Sequence, residues 1–368
     1  MRLDKASDIE REIEIAKLKK ALLAKQKATT PEETNAYAEG VMGEMLTVKQ
    51  ANAWVQEALK RPDPKMLFGS LWYEGEVGIL FASNNLGKSI LAVQIAEGVA
   101  RGQATLPLPV TATPKKVLYI DCELSDKQFQ IRYTAGNQVY RFSDNFLRAE
   151  INRKKLLEGY SMTELVLRAI ESHIRQHQVE VIILDNISAL RNDLEKTTDA
   201  GDLMMGLQQF QDEHEISILL LAHTPKVQSN QPITDNHLAG SKMLMNLTDS
   251  AFTIGCSQQD SGMRYIKQIK VRNSDKRYDA ENVIVCEIRK ENAFLGFHFL
   301  AYEAERHHLQ QTGANTRDEE LSLVRQMMKD GYSQRQMVEK MSISLGKVNK
   351  LVKLIADQDR EEAVKRAA

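Results

Sequence analysis

Residues 77–93 read VGILFASNNLGKSILAV, and this stretch decides the fold class of the chain. An apolar run ends at Ala82, a polar loop follows, and a helical pattern begins at Lys88. A loop between a strand and a helix offers backbone N–H donors to a phosphate, while a lysine adds charge and a serine hydroxyl ligates Mg²⁺. Gly87, Lys88 and Ser89 supply these parts, and Ala82 stands where the usual pattern has its first glycine. The stretch predicts a nucleotide-binding loop.

Outward from this loop, apolar runs of strand length alternate with helical patterns from residue 76 to about residue 300. This alternation is typical of an α/β domain with a mostly parallel central sheet. The expected strands are 77–81, 117–121, 180–184 and 216–222, and the expected helices are 88–101, 125–135, 162–177 and 200–213. Antiparallel edge strands are expected at 250–255, 263–272, 281–289 and 294–302.

Three of the predicted strands are followed by polar side chains, at the edge where open α/β sheets bind ligands. Glu123 is predicted to activate the attacking water as general base, with capping of the next helix as the alternative. Asp185 is predicted to hold Mg²⁺ together with Ser89. His223 is predicted to sense the γ-phosphate, or else to be a structural histidine. Asp121 is either a supporting residue or the end of its strand.

A further strand carries the basic residues Lys270 and Arg272, which alternation places on one face. They either protect a sheet edge or act as an arginine finger at the nucleotide of a neighbouring subunit. The residues predicted to act in catalysis are Lys88, Glu123, His223, Lys270 and Arg272. The residues predicted to bind the nucleotide, taken to be ATP, are Ala82, Ser83, Asn84, Asn85, Leu86, Gly87, Lys88, Ser89 and Asp185.

Composition excludes several classes of protein. The 368 residues include 49 basic and 50 acidic side chains, so the net charge of −1 gives no general attraction to nucleic acid or membranes. Apolar runs are too short to span a bilayer, and three scattered cysteines form neither a disulfide framework nor a zinc motif. We therefore expect a soluble, globular, cytoplasmic protein without a membrane partner.

The pattern divides the chain into four parts. Residues 1–60 are expected to form an N-terminal helical segment, residues 61–302 the α/β domain and residues 303–316 a polar linker. Residues 317–368 are predicted to be a small all-helical domain of the helix-turn-helix kind. Its third helix carries Lys347, Lys350 and Lys353, which suit either DNA phosphates or a solvated face of a protein-docking bundle.

The order of the loop and of Glu123, Asp185, His223 and the Lys270/Arg272 strand resembles a RecA-like ATPase. Within that superfamily it is most similar to the hexameric helicases typified by plasmid RepA and DnaB. The resemblance implies that the glutamate activates water, the histidine couples the γ-phosphate to DNA, and the Lys-x-Arg pair acts across a subunit interface. It also implies ATP and Mg²⁺ as cofactors, and self-association into a ring or filament such as a hexamer.

Three functions fit this sequence. The first is Mg-dependent ATP hydrolysis coupled to DNA binding or translocation, as a helicase-type motor in replication, recombination or mobilisation of a mobile element. The second is an ATP-switched DNA-binding regulator or loader that unwinds nothing. The third, a KaiC-like signalling ATPase, fits the core of the chain but leaves the C-terminal helical domain without a role.

Overall fold

A computed structural model describes residues 46–152, 160, 162–187, 197–224, 230–238, 242–309, 313–341, 348–356 and 358. The predicted N-terminal helix before residue 46 lies outside the described residues, as does Lys347. Residues 46–63 belong to a separate unit, in which helix α1 spans Ala51–Ala58. Among the described residues, no helix is both long and apolar enough to cross a membrane.

The α/β domain is built on one nine-stranded sheet. Its order is β11-β10-β9-β8-β1-β7-β6-β2-β5, in which β8, β1, β7, β6, β2 and β5 are parallel and β9 to β11 are antiparallel. The strands of this sheet are β1 Val77–Ala82, β2 Val117–Asp121, β5 Phe146–Glu150, β6 Val181–Asp185, β7 Ser217–His223, β8 Ser250–Cys256, β9 Met263–Lys270, β10 Val283–Glu291 and β11 Phe294–Glu303. The expected mostly parallel sheet with an antiparallel edge is confirmed.

Helices cover both faces of the sheet, as parallel strands buried on both sides require. They are α2 Lys88–Arg101, α3 Asp126–Arg132, α4 Met162–His177, α5 Thr197–His214 and α6 Lys242–Leu247. Alternate residues of β1 divide between two apolar cores: Val77, Ile79 and Phe81 pack with α4 and α5, whereas Leu80 packs with α2. This division fixes the register of β1 against its neighbours, and therefore the position along the strand at which the following loop begins.

Several boundaries differ from the sequence-based expectation. The chain between α3 and β5 forms a small hairpin, β3 Thr134–Ala135 and β4 Gln138–Val139, and neither this hairpin nor β5 is among the expected strands. The strand expected at 263–272 ends at Lys270, so Arg272 lies beyond it. The segment expected to be a linker contains a 3₁₀ helix, Glu305–His308, in which Glu305 and His308 are both buried.

Glu305 belongs to a buried polar network next to β9. Lys267 forms an ion pair with Glu305 and donates to the Ile233 carbonyl at 2.7 Å. The Glu305 carboxylate also accepts the backbone N–H of Ile233 at 2.9 Å and the Tyr265 hydroxyl at 3.2 Å. The network joins residues 230–238, which follow the β7 strand, to the turn that precedes the C-terminal helices.

Three helical segments follow: α7 Gly313–Lys329, α8 Gln334–Met341 and residues 348–356. They share a small apolar core distinct from the two cores of the sheet. Its buried members are Val324, Met327, Met337, Val348, Leu351 and Ile355. The expected helical character of this region is confirmed, while its helix-turn-helix identity stays a prediction.

Candidate active site

The loop between β1 and α2 ends in a left-handed turn. Gly87 is the N-cap of α2, with φ of +95°, a conformation that residues with a Cβ rarely adopt. A Cβ at this position would also lie 2.7 Å from Ile288 Cδ1 of β10. The loop therefore turns sharply against the β10–β11 hairpin, and the N-terminus of α2 presents its backbone N–H groups at the end of β1.

Lys88 lies at the centre of this loop. Its ammonium donates to the carbonyls of Ala82 at 2.9 Å and Ser83 at 3.2 Å, and to His223 Nδ1 at 3.1 Å. Burial lowers the pKa of Lys88, and the nearby carboxylates of Asp185 and Glu123 oppose that shift. A phosphate at the helix N-terminus would compete with these acceptors for the ammonium.

The tip of β6 provides a buried carboxylate that has no cationic hydrogen-bond donor among the residues that the structure describes. Asp185 is 2% exposed, and the donors that reach its carboxylate are the hydroxyls of Tyr119, at 2.5 Å, and Ser89. Burial raises the pKa of Asp185 to about 6, because neutral donors compensate only part of the desolvation. This hydroxyl and carboxylate pair fits Mg²⁺, which takes few protein ligands and completes its shell with phosphates and water.

The neighbouring carboxylate of Asp121 is neutralised by the protein itself. Asp121 pairs with Asp185 in the register of β2 and β6, and it is also buried. Its Oδ2 accepts two hydrogen bonds from the Arg148 guanidinium, at 3.1 and 3.0 Å. Among the described residues, the Asp121 carboxylate thus has a cationic hydrogen-bond partner that the Asp185 carboxylate lacks.

Glu123, Asn186 and His223 meet above the strand tips. The Glu123 carboxylate accepts a hydrogen bond from Asn186 Nδ2 and lies 3.5 Å from His223 Nε2. The alternative capping role falls to Ser125, which forms a capping box with Gln128 at the start of α3. Glu123 is therefore left to face the site, with a side chain that is 43% exposed.

His223 links the loop lysine to Glu123. Burial and the Lys88 ammonium lower the pKa of His223, which favours the neutral ring. An ammonium can only donate, so Nδ1 accepts from Lys88, while Nε2 lies 2.9 Å from Asn186 Nδ2 and 3.5 Å from the Glu123 carboxylate. Thr224 extends this link to the loop, with its hydroxyl 2.8 Å from that of Ser83.

These elements surround a cavity of about 680 Å³, a volume suited to a nucleotide. Besides the predicted residues, Ile90, Arg132, Thr224 and Ile288 line it. The Arg132 Nη1 atom is buried and has no hydrogen-bond partner among the described residues, which marks it as a further candidate for ligand contact. The lining residues are Asn84, Asn85, Gly87, Lys88, Ser89, Ile90, Glu123, Arg132, His223, Thr224 and Ile288.

Comparison with protein families matches an AAA domain to residues 18–229, more than half of the chain. The chain belongs to the AAA domain family. No curated protein matches it. Among solved structures, a KaiC-like protein from the hyperthermophilic archaeon Pyrococcus horikoshii matches with a TM-score of 0.43 and 11% identity, over 61% of this chain and 90% of that chain. With its loop and strand-tip acids, this AAA domain protein is a P-loop NTPase.

The structure does not bring every predicted residue to this AAA domain site. Lys270 lies opposite Ala251, near the start of β8, whereas the nucleotide loop leaves the far end of the adjacent parallel strand β1. Its ammonium donates to the carbonyls of Met245 and Thr248, both at 2.6 Å, and Arg272 pairs with Asp249 at 2.8 Å. Neither side chain reaches the nucleotide cavity of its own chain.

Sequence reasoning missed several residues that the fold places around the site. Asn186 directly follows Asp185, so the strand-tip argument that found Asp185 could also have found it. Tyr119 and Arg148 act from strand interiors, where the sequence carries no such signal. Arg132 ends a short helix, and only the fold shows that it lines the cavity.

Proposed function

We propose that this protein is a Mg-dependent ATPase that couples hydrolysis to DNA binding or translocation as a helicase-type motor. The observation that carries the proposal is the link from Lys88 through His223 to Glu123 and Asn186. It joins the groups that hold phosphates and activate water to the end of β7. Hydrolysis and a conformational response can therefore share one set of hydrogen bonds.

In the proposed reaction, the α2 N-terminus and Lys88 bind the phosphates, and Ser89 and Asp185 hold the cation. Bound Mg²⁺ supplies neutralisation of the charge that develops on the phosphates. Glu123 accepts a proton from the attacking water, for which its exposed carboxylate is suited. Asn186 orients that carboxylate through its hydrogen bond.

The response would begin at His223. Its Nδ1 accepts from Lys88, so a γ-phosphate that draws the ammonium away removes one partner of the ring. A movement at the loop would also reach Thr224, because its N–H donates to the Ala82 carbonyl at 3.1 Å and its hydroxyl contacts Ser83. Thr224, the first residue after β7, would thus move with the state of the nucleotide.

The proposed DNA partner rests on the resemblance to RecA-like helicases and on the C-terminal helices. In residues 348–356, Val348, Leu351 and Ile355 face the small core, while Lys350 and Lys353 are exposed. Two lysines one turn apart form a local positive stripe that suits phosphates. The same stripe favours the second candidate, an ATP-switched DNA-binding regulator or loader.

We also propose self-association into a ring or filament. Lys270 and Arg272 lie far from the cavity of their own chain, so a role at a nucleotide requires that of a neighbouring subunit. The Arg272 side chain is 51% exposed, although it pairs with Asp249. An arginine supplied in trans would stabilise the charge of the transferred phosphoryl group.

The deciding experiment measures ATP turnover with and without single-stranded DNA, together with strand separation on a forked duplex. A motor shows DNA-stimulated turnover and separates the strands, and Lys88→Ala abolishes both. ATP-dependent duplex binding without strand separation would instead support the regulator. If DNA does not change turnover and the protein binds no DNA in any nucleotide state, both the motor and the regulator are rejected.

A further inference from the structure

The turn that carries Glu123 is fixed by the side chain two residues before it. Asp121 Oδ1 accepts the backbone N–H groups of Glu123 at 3.1 Å and Leu124 at 2.9 Å. The N–H of Cys122 donates to the Asp185 carbonyl at 2.7 Å. Three successive backbone donors after β2 are thus bound, and the Cα of Glu123 has little freedom to move.

Arg148 holds the other side of the same turn. Its Nε and Nη2 both donate to Asp121 Oδ2, and Nη2 also donates to the Leu124 carbonyl at 2.7 Å. The guanidinium lies 4.8 Å from the centre of the Phe129 ring of α3, and its Nη1 pairs with Glu150. One planar group therefore connects β2, the turn, α3 and the edge strand β5.

Arg148 is not among the residues that line the nucleotide cavity. Its effect on chemistry must therefore pass through the residues it holds, of which Glu123 is the one in the site. We propose that Arg148 is a positioning residue, which sets the Glu123 carboxylate against the attacking water by clamping Asp121 and Leu124. This inference rests on the proposed role of Glu123 in hydrolysis.

The contacts need an arginine rather than any cation. A guanidinium presents a rigid planar fork that serves one carboxylate oxygen with two donors and a carbonyl with the same plane. Lysine keeps the charge, but its compact ammonium lacks the planar fork, so it cannot place two donors on Asp121 Oδ2 and a third on the Leu124 carbonyl in this geometry. Arg148→Lys therefore separates positioning from charge.

The test compares Arg148→Lys with the matched control Arg175→Lys, whose arginine pairs with Glu171 on the exposed face of α4. We expect Arg148→Lys to lower kcat roughly 10- to 100-fold, as small misplacements of catalytic groups do, with KM and the Kd for ATP unchanged. The control should match the wild type. A fall in nucleotide affinity with kcat retained would overturn the proposal.

A double variant shows whether the effect passes through Glu123. Once Glu123→Gln has removed the base, loss of its positioning should cost nothing further, so Arg148→Lys/Glu123→Gln should turn over no more slowly than Glu123→Gln alone. Multiplicative losses would show that Arg148 acts by general stability instead. Thermal unfolding of each variant identifies any that fold poorly.

Hydrogen exchange tests the clamp without relying on turnover. The amides of Glu123 and Leu124 are bound to Asp121, so they should exchange slowly in the wild type and in Arg175→Lys, and roughly 10-fold faster in Arg148→Lys. Unchanged exchange would refute the clamp even if turnover fell. Wild-type turnover by Glu123→Gln would instead refute the proposed role of Glu123 in hydrolysis, while the exchange result would still show whether Arg148 orders the turn.

Discussion

At the scale of single residues, the site separates two buried acids by their partners. Within the described part of the chain, the Asp121 carboxylate accepts from a guanidinium and the Asp185 carboxylate from hydroxyls, although the two lie side by side in the sheet. A carboxylate left without a counter-charge in a buried position favours a cation from outside. The sequence predicts Asp185 rather than Asp121 for the cation, and the contact with Arg148 supplies a physical reason that the sequence does not show.

Lys88 and Glu123 should separate binding from chemistry. Lys88→Ala removes the group at the centre of the loop, so it should abolish nucleotide binding. Glu123→Gln leaves the loop intact and should bind ATP while turnover falls roughly 10²- to 10⁴-fold, the usual cost of losing a general base. Fluorescent-nucleotide titration and phosphate release measure the two effects, and near-normal turnover by Glu123→Gln would contradict the assignment.

At the scale of elements, the nucleotide loop depends on the antiparallel hairpin as well as on β1 and α2. Gly87→Ala should lower the free energy of unfolding by about 1–2 kcal/mol from backbone strain, and further because its Cβ meets Ile288 and Phe297. Gly136→Ala is the matched control, since Gly136 also has a positive φ but nothing within 4 Å of its Cβ. Urea unfolding measures both, and equal losses would show that the hairpin contact contributes nothing.

Most of the elements could be predicted because the spacing of apolar residues, and the polar residues that follow a strand, can both be recognised within a short stretch of sequence. β1, β2 and β6 are runs that are buried throughout, and their ends fall within one residue of the expected positions. β5 was missed because its residues Phe146–Glu150 are only partly buried and include Arg148 and Glu150, so no clear run marks it. The position of Arg148 beside Asp121 follows from strand pairing, which local patterns do not encode.

At the scale of the whole molecule, the small core of the C-terminal helices predicts a separable domain. Truncation after Leu309 should leave the sheet folded and basal ATP turnover unchanged. Duplex binding should weaken, and the slope of log affinity against log salt should flatten by about 0.9 for each DNA phosphate that the truncated protein no longer neutralises. Calorimetry and salt-dependent binding measure these effects, and an unchanged slope would assign the lysines to a solvated or protein-docking face.

Subunit mixing tests the proposed role of Lys270 and Arg272 in trans. Arg272→Ala and Lys88→Ala should each be inactive alone, whereas random equal mixing pairs an intact loop with an intact arginine at about one quarter of the interfaces of a ring. Turnover should then recover to a comparable fraction of the wild-type rate. No recovery after demonstrated subunit exchange would leave the pair as structural caps of the turn at 246–249.

The buried Lys267–Glu305 pair has a mechanical consequence. Breaking a buried ion pair by removing one partner costs about 3–5 kcal/mol, because the remaining charge is left unpaired. Ile233, which is bonded to both Lys267 and Glu305, is therefore held firmly against the turn at 305–308. A movement of residues 230–238 would therefore be transmitted through the Lys267–Glu305 pair to the turn at 305–308. Under the proposed function, a ligand bound to the C-terminal helices would experience movements that begin at the nucleotide loop.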